Sequence, residues 1–345
     1  MCLILGAILI HKTTKPIIIC YLGGLMVFGF FKRKTKKTIF EFLKNKNVLE
    51  IDLKNSKDCI LDFTYNFIWQ SNFDVNSKVT LETSFKDIVE HVKNPENVVY
   101  IKGNVGHRFC SSMGADLSYF GGNGGKIPTG FVIVDGNIDT RFGISMVSGK
   151  VYVKDGFKVK EPIGNIIEVQ SDIEGYKKYM SITEILEQKP LEKVLSPNLK
   201  NKNSLTLNDK LLRDTIGARL EKNAEITVNG NVELSTGILM KNGTIIVNGN
   251  AGKNTGSVLK GGTVIINGDT ADFTASDMVF GNIIINGNAG KFLGAKKKGG
   301  KIYAKTGSSI PPTKKYDLNQ EDKDFLAKYG FNTDFINFIN FIKFE

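Results

Sequence analysis

Few residues in this chain are of types that carry covalent or acid–base chemistry. The histidines, His11, His91 and His107, are scattered. The cysteines, Cys2, Cys20, Cys59 and Cys110, share no metal-binding interval, and their sparse use fits a reducing compartment. The run Gly121-Gly122-Asn123-Gly124-Gly125 lacks the Lys-Ser/Thr pair that a phosphate loop needs. Gly103-Asn104-Val105-Gly106 reads as a turn and not as a dinucleotide fingerprint. Asp269, Asp272 and Asp277 are close in sequence, but a polysaccharide-cleaving face would need more acidic or basic groups converging on one strand. His107, Arg108, Cys110 and Asp116 gather several reactive types beside the glycine-rich run. Any site is expected in that neighbourhood; a plain surface loop is the simpler expectation. No catalytic, cofactor-binding or metal-binding residue is assigned, and no cofactor is expected.

Composition bounds the elements that could position such a site. The chain has 345 residues, of which 41% are apolar and 23% charged. That is ordinary for a globular protein and excludes a disordered chain or a polytopic membrane protein. Glycine is the outlier, with 36 residues and no collagen period. The formal charge is +11, much of it in two runs: Lys32, Arg33, Lys34, Lys36 and Lys37, then Lys291, Lys296, Lys297, Lys298, Lys301 and Lys305. Such runs attract anions through long-range fields, although a solvated surface accounts for them as well. Basic and aromatic residues do not interleave as a nucleic-acid platform requires, so no nucleic-acid partner is expected.

Residues 16–31 carry no charge. As a helix they reach about 24 Å, short of a ~30 Å hydrocarbon core. Three readings stand open: a membrane anchor with the body on the cytoplasmic face, a buried or interfacial helix, or a chain that starts at Met26. Cys2 invites comparison with class II glutamine amidotransferases, whose nucleophile continues Cys-Gly-Ile, but here Leu3 follows and no such body is present.

Periodicity in the C-terminal half is the strongest signal. Residues 225–243, 244–262, 263–281 and 282–300 align as blocks of 19 without gaps. Each opens on alternating apolar residues: Ile226 and Val228, Ile245 and Val247, Val264 and Ile266, Ile283 and Ile285. Asn-Gly follows, at Gly230, Gly249, Gly268 and Gly287, and is expected to supply a positive-φ corner. A small residue recurs at Gly237, Gly256, Ala275 and Gly294, and a glycine closes each block. An alternating strand buries one face, and a fixed return brings the chain one step above its start. The pattern predicts a mainly β fold, a parallel β-solenoid of 19-residue coils.

Weaker copies lie upstream at 131–149 and 98–113, with 14 extra residues between them that should bulge as a loop. Met113, Met146, Met240 and Met278 are expected to form an inward ladder. The predicted organisation is an apolar segment plus basic run over 1–37 and an α/β lead-in over 38–97. First coils over 98–156, a helical and linker excursion over 157–212, repeat coils over 213–307 and a helical cap over 308–345 follow. Within it, Val48 to Leu53 reads as a strand and Thr83 to Val92 as a helix. Phe63, Tyr65, Phe67 and Trp69 form an aromatic patch. Ser171 and Ser181 should each open a helix, with Glu174 and Glu184 as their capping partners. Asn319 should cap a helix ending at Gly330, and Phe335 to Ile342 give an apolar stripe.

The stretch Gly249 to Gly268 resembles the GXGXG repeat of the C-type subunit of formylmethanofuran dehydrogenase and of the C-terminal domain of the glutamate synthase large subunit. Arg213-Asp214-Thr215-Ile216-Gly217-Ala218-Arg219-Leu220 resembles the lead into the glutamate synthase domain, and Leu318 to Asp322 resembles the helical tail of archaeal versions. The likeness covers residues 205–345 well and 98–156 loosely, and leaves out 1–97 and 157–204. It implies a right-handed, single-stranded parallel β-helix with an architectural role beside partner oxidoreductase subunits that carry the chemistry. A homo-oligomer, or a membrane-tethered module binding an anionic partner through Lys291–Lys305, are the other expectations. The resemblance itself carries over no site residue.

Overall fold

A computed structural model describes residues 17–22, 25–30, 36–65, 74–118, 121–188, 192–331 and 341–345. Strands β1 (Ile17–Leu22) and β2 (Leu25–Phe30) pair antiparallel, from Ile17 opposite Phe30 to Leu22 opposite Leu25. The helix expected across residues 16–31 is therefore replaced by a pair of strands. Ile17 to Ile19 are β-branched, and the sequence places Gly23-Gly24 between the two strands, both of which favour a hairpin over a helix. Among the described residues no helix is long and apolar enough to cross a membrane. The expectations for Cys2, His11, Phe67, Trp69 and Lys32 to Lys34 lie outside the described residues.

Thr38 and Glu41 cap each other at the start of α1 (Ile39–Leu43). The first rung is β3 (Val48–Asp52), and α2 (Phe85–Val92), capped by Ser84 and Asp87, packs before the next. Strands β4 (Val98–Lys102), β5 (Phe131–Asp135) and β6 (Lys150–Lys154) continue the series in parallel. Val48, Val98, Phe131 and Lys150 stand side by side. The rungs thus begin within the lead-in. The extra residues before β5 leave the stack as a loop closed by the Ala115–Lys126 bridge. Their core gathers Ile51, Ile101, Met113, Val132, Met146 and Val151.

The stretch expected to be helical and linker-like holds four short strands and one short helix. β7 (Ile166–Val169) and β8 (Tyr176–Ser181) pair antiparallel, and β8 runs antiparallel to β6, which ends this sheet. Ser181 caps α3 (Ile182–Glu187) as expected. Ser171 does not open a helix. Its hydroxyl accepts from the Ile173 amide only two residues on, a local turn that competes with helix formation. β9 (Leu199–Lys200) pairs antiparallel with β10 (Ser204–Leu207), which is already a rung of the second stack.

Strands β11 (Glu225–Val228), β12 (Thr244–Val247), β13 (Thr263–Ile266), β14 (Asn282–Leu293) and β15 (Lys301–Ser309) follow in parallel. Ile226, Ile245, Val264, Ile283 and Ile302 stand in one file, as the 19-residue period predicts. Met240, Leu259 and Met278 are fully buried beneath them, and Met113 and Met146 do the same in the first stack. The methionine ladder is therefore a core feature.

The corner glycines act differently from expectation. Of the Asn-Gly glycines, Gly230 has φ +155, but Gly249, Gly268 and Gly287 have no left-handed φ. They are needed for close approach: a Cβ on Gly249 would stand 2.5 Å from the Gly230 carbonyl oxygen. The left-handed positions lie in the arc that follows. Ser235, Gly237 and Leu239 have φ of 56°, 75° and 58°, and Asn254, Gly256 and Val258 repeat the pattern one coil on. Ala275 holds φ 61° at the position of Gly256.

The middle residue of each arc donates its amide to the coil below. Gly237 donates to Ile216 (2.8 Å), Gly256 to Thr236 (2.7 Å), Ala275 to Thr255 (2.8 Å) and Gly294 to Thr274 (2.9 Å). The same column runs through the first stack, from Gly143 to Phe109 (2.8 Å) and from Gly164 to Phe142 (2.7 Å). Asn165 splices the two. Its Nδ2 donates to the Met146 carbonyl (2.9 Å) and to Thr183 Oγ1 (2.8 Å), and its Oδ1 accepts from the Gly217 amide (3.0 Å).

At the far end, β17 (Ile342–Phe344) pairs antiparallel with β15 and with β16 (Lys315–Tyr316). Asn319 caps α4 (Gln320–Lys328), and Gly330 follows with φ 83°. The helix lies on the outer sheet face, where Leu326, Phe331 and Phe341 cover Ile265, Ile284 and Tyr303. Asp322 clamps it, bonding Lys301 (3.1 Å), Lys343 (2.9 Å) and the Tyr303 hydroxyl (2.9 Å). Most of the Phe335 to Ile342 stripe lies outside the described residues.

Candidate functional site

The arcs of the first stack hold the neighbourhood expected to be reactive. His107 and Arg108 sit on the arc after β4, and Thr140 and Arg141 on the arc after β5. Arg108 and Arg141 take φ of 61° and 63°, and the Arg108 amide donates to the Thr140 carbonyl (3.0 Å). Equivalent positions on successive coils thus carry arginine.

Most of these groups meet a partner on a neighbouring coil, while Arg108 Nε, Asp62 Oδ2 and Asp214 Oδ2 make no hydrogen bond among the described residues. His107 Nδ1 lies 2.7 Å from Thr140 Oγ1, and the His107 amide donates to Asp58 Oδ1 (2.7 Å). Arg108 Nε is 3.9 Å from Asp62 Oδ2, and its guanidinium donates to Ser111 Oγ (3.2 Å). Arg141 Nε is 3.2 Å from Asp214 Oδ2. Asp214 Oδ1 accepts from the Leu234 amide in the second stack (2.9 Å). Asp62 and Asp214 are buried, and burial pushes both carboxyls above the usual range, against the pull of Arg108 and Arg141. Burial, then the charges of Arg141 and Arg108, lower His107, which keeps its imidazole neutral near pH 7.

These groups do not assemble a nucleophile. Cys110 is fully buried, and burial raises its thiol well above the ordinary value. The Cys59 thiol is pushed up to about 12, first by burial and then by Asp62. Nucleophilic and metal-binding cysteines need the thiolate, which burial disfavours here. Asp116 is engaged with its own loop, accepting from the Asn123 amide (2.9 Å) and, through its carbonyl, from Gly124 (2.7 Å).

The other candidates are separate. Asp269 and Asp272 accept the Asn288 and Lys291 amides of the next coil (2.7 and 2.8 Å). Their role is to tie coils together. In the second basic run, Lys297 is buried at a core-ladder position and donates to the Gly300 carbonyl (2.8 Å), while Lys301 is held by Asp322. Lys291, Lys296, Lys298 and Lys305 remain exposed. His91 bonds the Val98 carbonyl (3.2 Å). Among the described residues no group of three or more His, Cys, Asp or Glu could hold a metal. A cleft of about 780 Å³ lies by the first rung, lined by Glu50, Asp52, Lys54, Lys57, Lys78 and Glu82 with Leu53, Val79, Leu81 and small polar residues.

Sequence reasoning missed Asp62, Arg141 and Asp214. Laying the coil of Val98 over that of Phe131 aligns Arg108 with Arg141 and would have exposed the arginine pair. Arg213, in the segment that leads into the repeats, is fully buried. It grips Asp209 with two bonds (2.7 and 2.6 Å) and donates to the Ile166 carbonyl (3.2 Å), across the junction of the stacks.

No family model matches the chain. An uncharacterised protein of Methanothermobacter thermautotrophicus is 47% identical over 222 residues, covering 62% of this chain and 67% of that protein. A solved chain of the formyltransferase/hydrolase complex of Methylorubrum extorquens, in complex with methylofuran, overlaps 82% of this chain and 88% of its own. The TM-score is 0.32 and the identity 14%.

Proposed function

We propose, from the premise that this chain belongs to the family of that Methanothermobacter protein, that it is a non-catalytic β-solenoid scaffold that holds other protein subunits. The observation that carries this reading is where the reactive side chains go. His107 to Thr140, Arg141 to Asp214 and Asp269 to Asn288 are all contacts between coils. Groups engaged in this way stiffen the rod and are not free to act on a substrate.

The finer reading is an assembly subunit related to the C-type subunit of formylmethanofuran dehydrogenase, with the chemistry residing on partner oxidoreductase subunits. Its support is the glycine repeat from Gly249 to Gly268 and the unbroken 19-residue register around it. A surface for partners is also present. Phe273 and Phe292 stack on neighbouring coils with ring centroids 4.8 Å apart, and both stay about two-fifths exposed. Exposed rings on a rigid face are a feature of contact surfaces.

A mild-detergent pull-down of the full chain from its own cells, read by mass spectrometry, tests the proposal. A metal- or flavin-bearing oxidoreductase subunit should co-purify, and F273S/F292S should lose it. Substrate turnover by the purified chain alone would overturn the reading.

A further inference from the structure

Arg219 stands on the arc that opens the second stack, with φ 56° and its amide donating to the Ile238 carbonyl (3.0 Å). Its guanidinium is partly buried. Nε is sealed from solvent and has no hydrogen-bond partner among the described residues. Burial of the guanidinium lowers its pKa, with Glu221 acting against the shift. Leaving such a donor unmatched is costly, and a ligand would meet this side chain through the part that lines the crevice.

A narrow crevice opens beside this group. Its lining is Gly124, Gly125 and Lys126 of the inserted loop, with Arg219, Glu221, Leu239, Lys241 and Lys260 of the second stack. Two of the four cations are already matched. Lys126 pairs with Glu187 (2.7 Å) and Lys241 with Glu221 (2.6 Å). Arg219 and Lys260 have no carboxylate within ion-pair distance among the described residues. Two cations without an ion-pair contact therefore face one opening, whose lining also holds Glu221, bonded to Lys241.

We propose that this crevice binds a phosphoryl group, as inorganic phosphate or as the terminus of a phosphomonoester. A dianion matches the two free charges, and a guanidinium fork suits phosphate oxygens. The glycine loop supplies room and not donors. The Gly124 and Gly125 amides are already engaged by the Asp116 carbonyl and Asn123 Oδ1 (both 2.7 Å). The crevice itself holds about 20 Å³, so one oxygen enters it and the rest of the group sits at the mouth, near Lys260. The site does not depend on the scaffold reading.

The test is calorimetric titration of the purified full chain with inorganic phosphate, beside Arg219→Gln and Lys260→Gln. Saturable one-site binding is expected, at least tenfold weaker in either variant. Thermal melts check that both variants fold, and K260Q alters only a surface charge. Tighter binding of glycerol 3-phosphate than of inorganic phosphate would support the proposal and place the phosphoryl on a larger molecule. Equal binding would support it for free phosphate. The proposal is overturned by absence of saturable binding at millimolar phosphate, by variants that bind like the parent, or by acetate binding as tightly as phosphate.

Discussion

In the first stack the arcs are stitched by charge, through Arg108 with Asp62 and Arg141 with Asp214. In the second the links are mixed: Asp269 and Asp272 accept amides of the next coil, Lys241 pairs with Glu221, and the rest are neutral. Thr255 and Thr274 each donate to a carbonyl three residues back (2.9 Å), and Asn248 and Asn267 extend an amide ladder (2.7 and 2.8 Å). Spacing differs in the same sense. Equivalent residues lie 33 apart between His107 and Thr140 but 19 apart in the second stack. Both stacks nevertheless share the buried methionine positions and one column of arc hydrogen bonds. The core and the arc column are thus the fixed requirements of the coil, and loop length and arc chemistry are free to vary around them. Buried ion pairs add little net stability but are costly to break singly. The first stack should therefore be the more fragile to single substitutions in its arcs.

The splice is where the comparison breaks most visibly. Asn165→Ala removes three buried side-chain hydrogen bonds and leaves the Gly217 amide without its acceptor. A loss of about 4 kcal/mol is expected. Calorimetry should then show two transitions, one per stack, where the parent shows one; a single shifted transition would mean the stacks are coupled elsewhere. Met146→Ala and Met240→Ala should each cost about 3 kcal/mol in denaturant titrations, because both lie in fully buried ladders. Clearly unequal losses would show that the two cores are packed differently.

Arc substitutions sharpen the contrast. Arg141→Leu leaves the Asp214 carboxylate buried without its counter-charge and should cost about 2 kcal/mol. Thr255→Val in the second stack should cost about 1 kcal/mol. Equal costs in thermal melts would erase the distinction between an ion-paired arc and a hydroxyl-bonded one.

The smallest effects near neutral pH are those of titration, and individual carboxyls should respond with opposite sign. Burial raises Asp62 and Glu184, so the folded state holds their protons more tightly than the unfolded chain does. Through these two groups, mild acidification from neutrality favours the folded state. Asp322 is lowered from 3.8 to about 2 by hydrogen bonds from Lys343 and Lys301, which outweigh burial. Its contribution is complete above the ordinary carboxylate value and is lost as pH falls toward 2. Hydrogen exchange by segment checks this: protection of Ile342–Phe344 should fade below pH 4 while the first-stack rungs hold.

Much of the second stack was legible because its signal is local and repeated. The file from Ile226 to Ile302, the methionine ladder and the Ser181 and Asn319 caps all follow from spacing within one coil or one helical turn. The rung at Val48 was hidden because its neighbour, Val98, lies beyond a long insertion with its own helix. Glycine types were visible, but the sequence does not separate a glycine needed for φ, such as Gly256, from one needed for close approach, such as Gly249. The site was legible only as a neighbourhood. His107 and Arg108 were found, but Asp62 reaches Arg108 and Asp214 reaches Arg141 only through coil stacking, and Arg219 looks ordinary until its lack of a partner is seen in three dimensions.

The seam at Asn165 also sets how the rod carries load. Force along the axis passes from coil to coil through the arc column without interruption. On the sheet side the antiparallel strands β7 and β8 end one load path, and β9 and β10 begin another. One wall is a continuous tendon and the other is cut. Bending and twist should therefore concentrate at a single joint between two stiff segments, with one buried asparagine as its hinge pin.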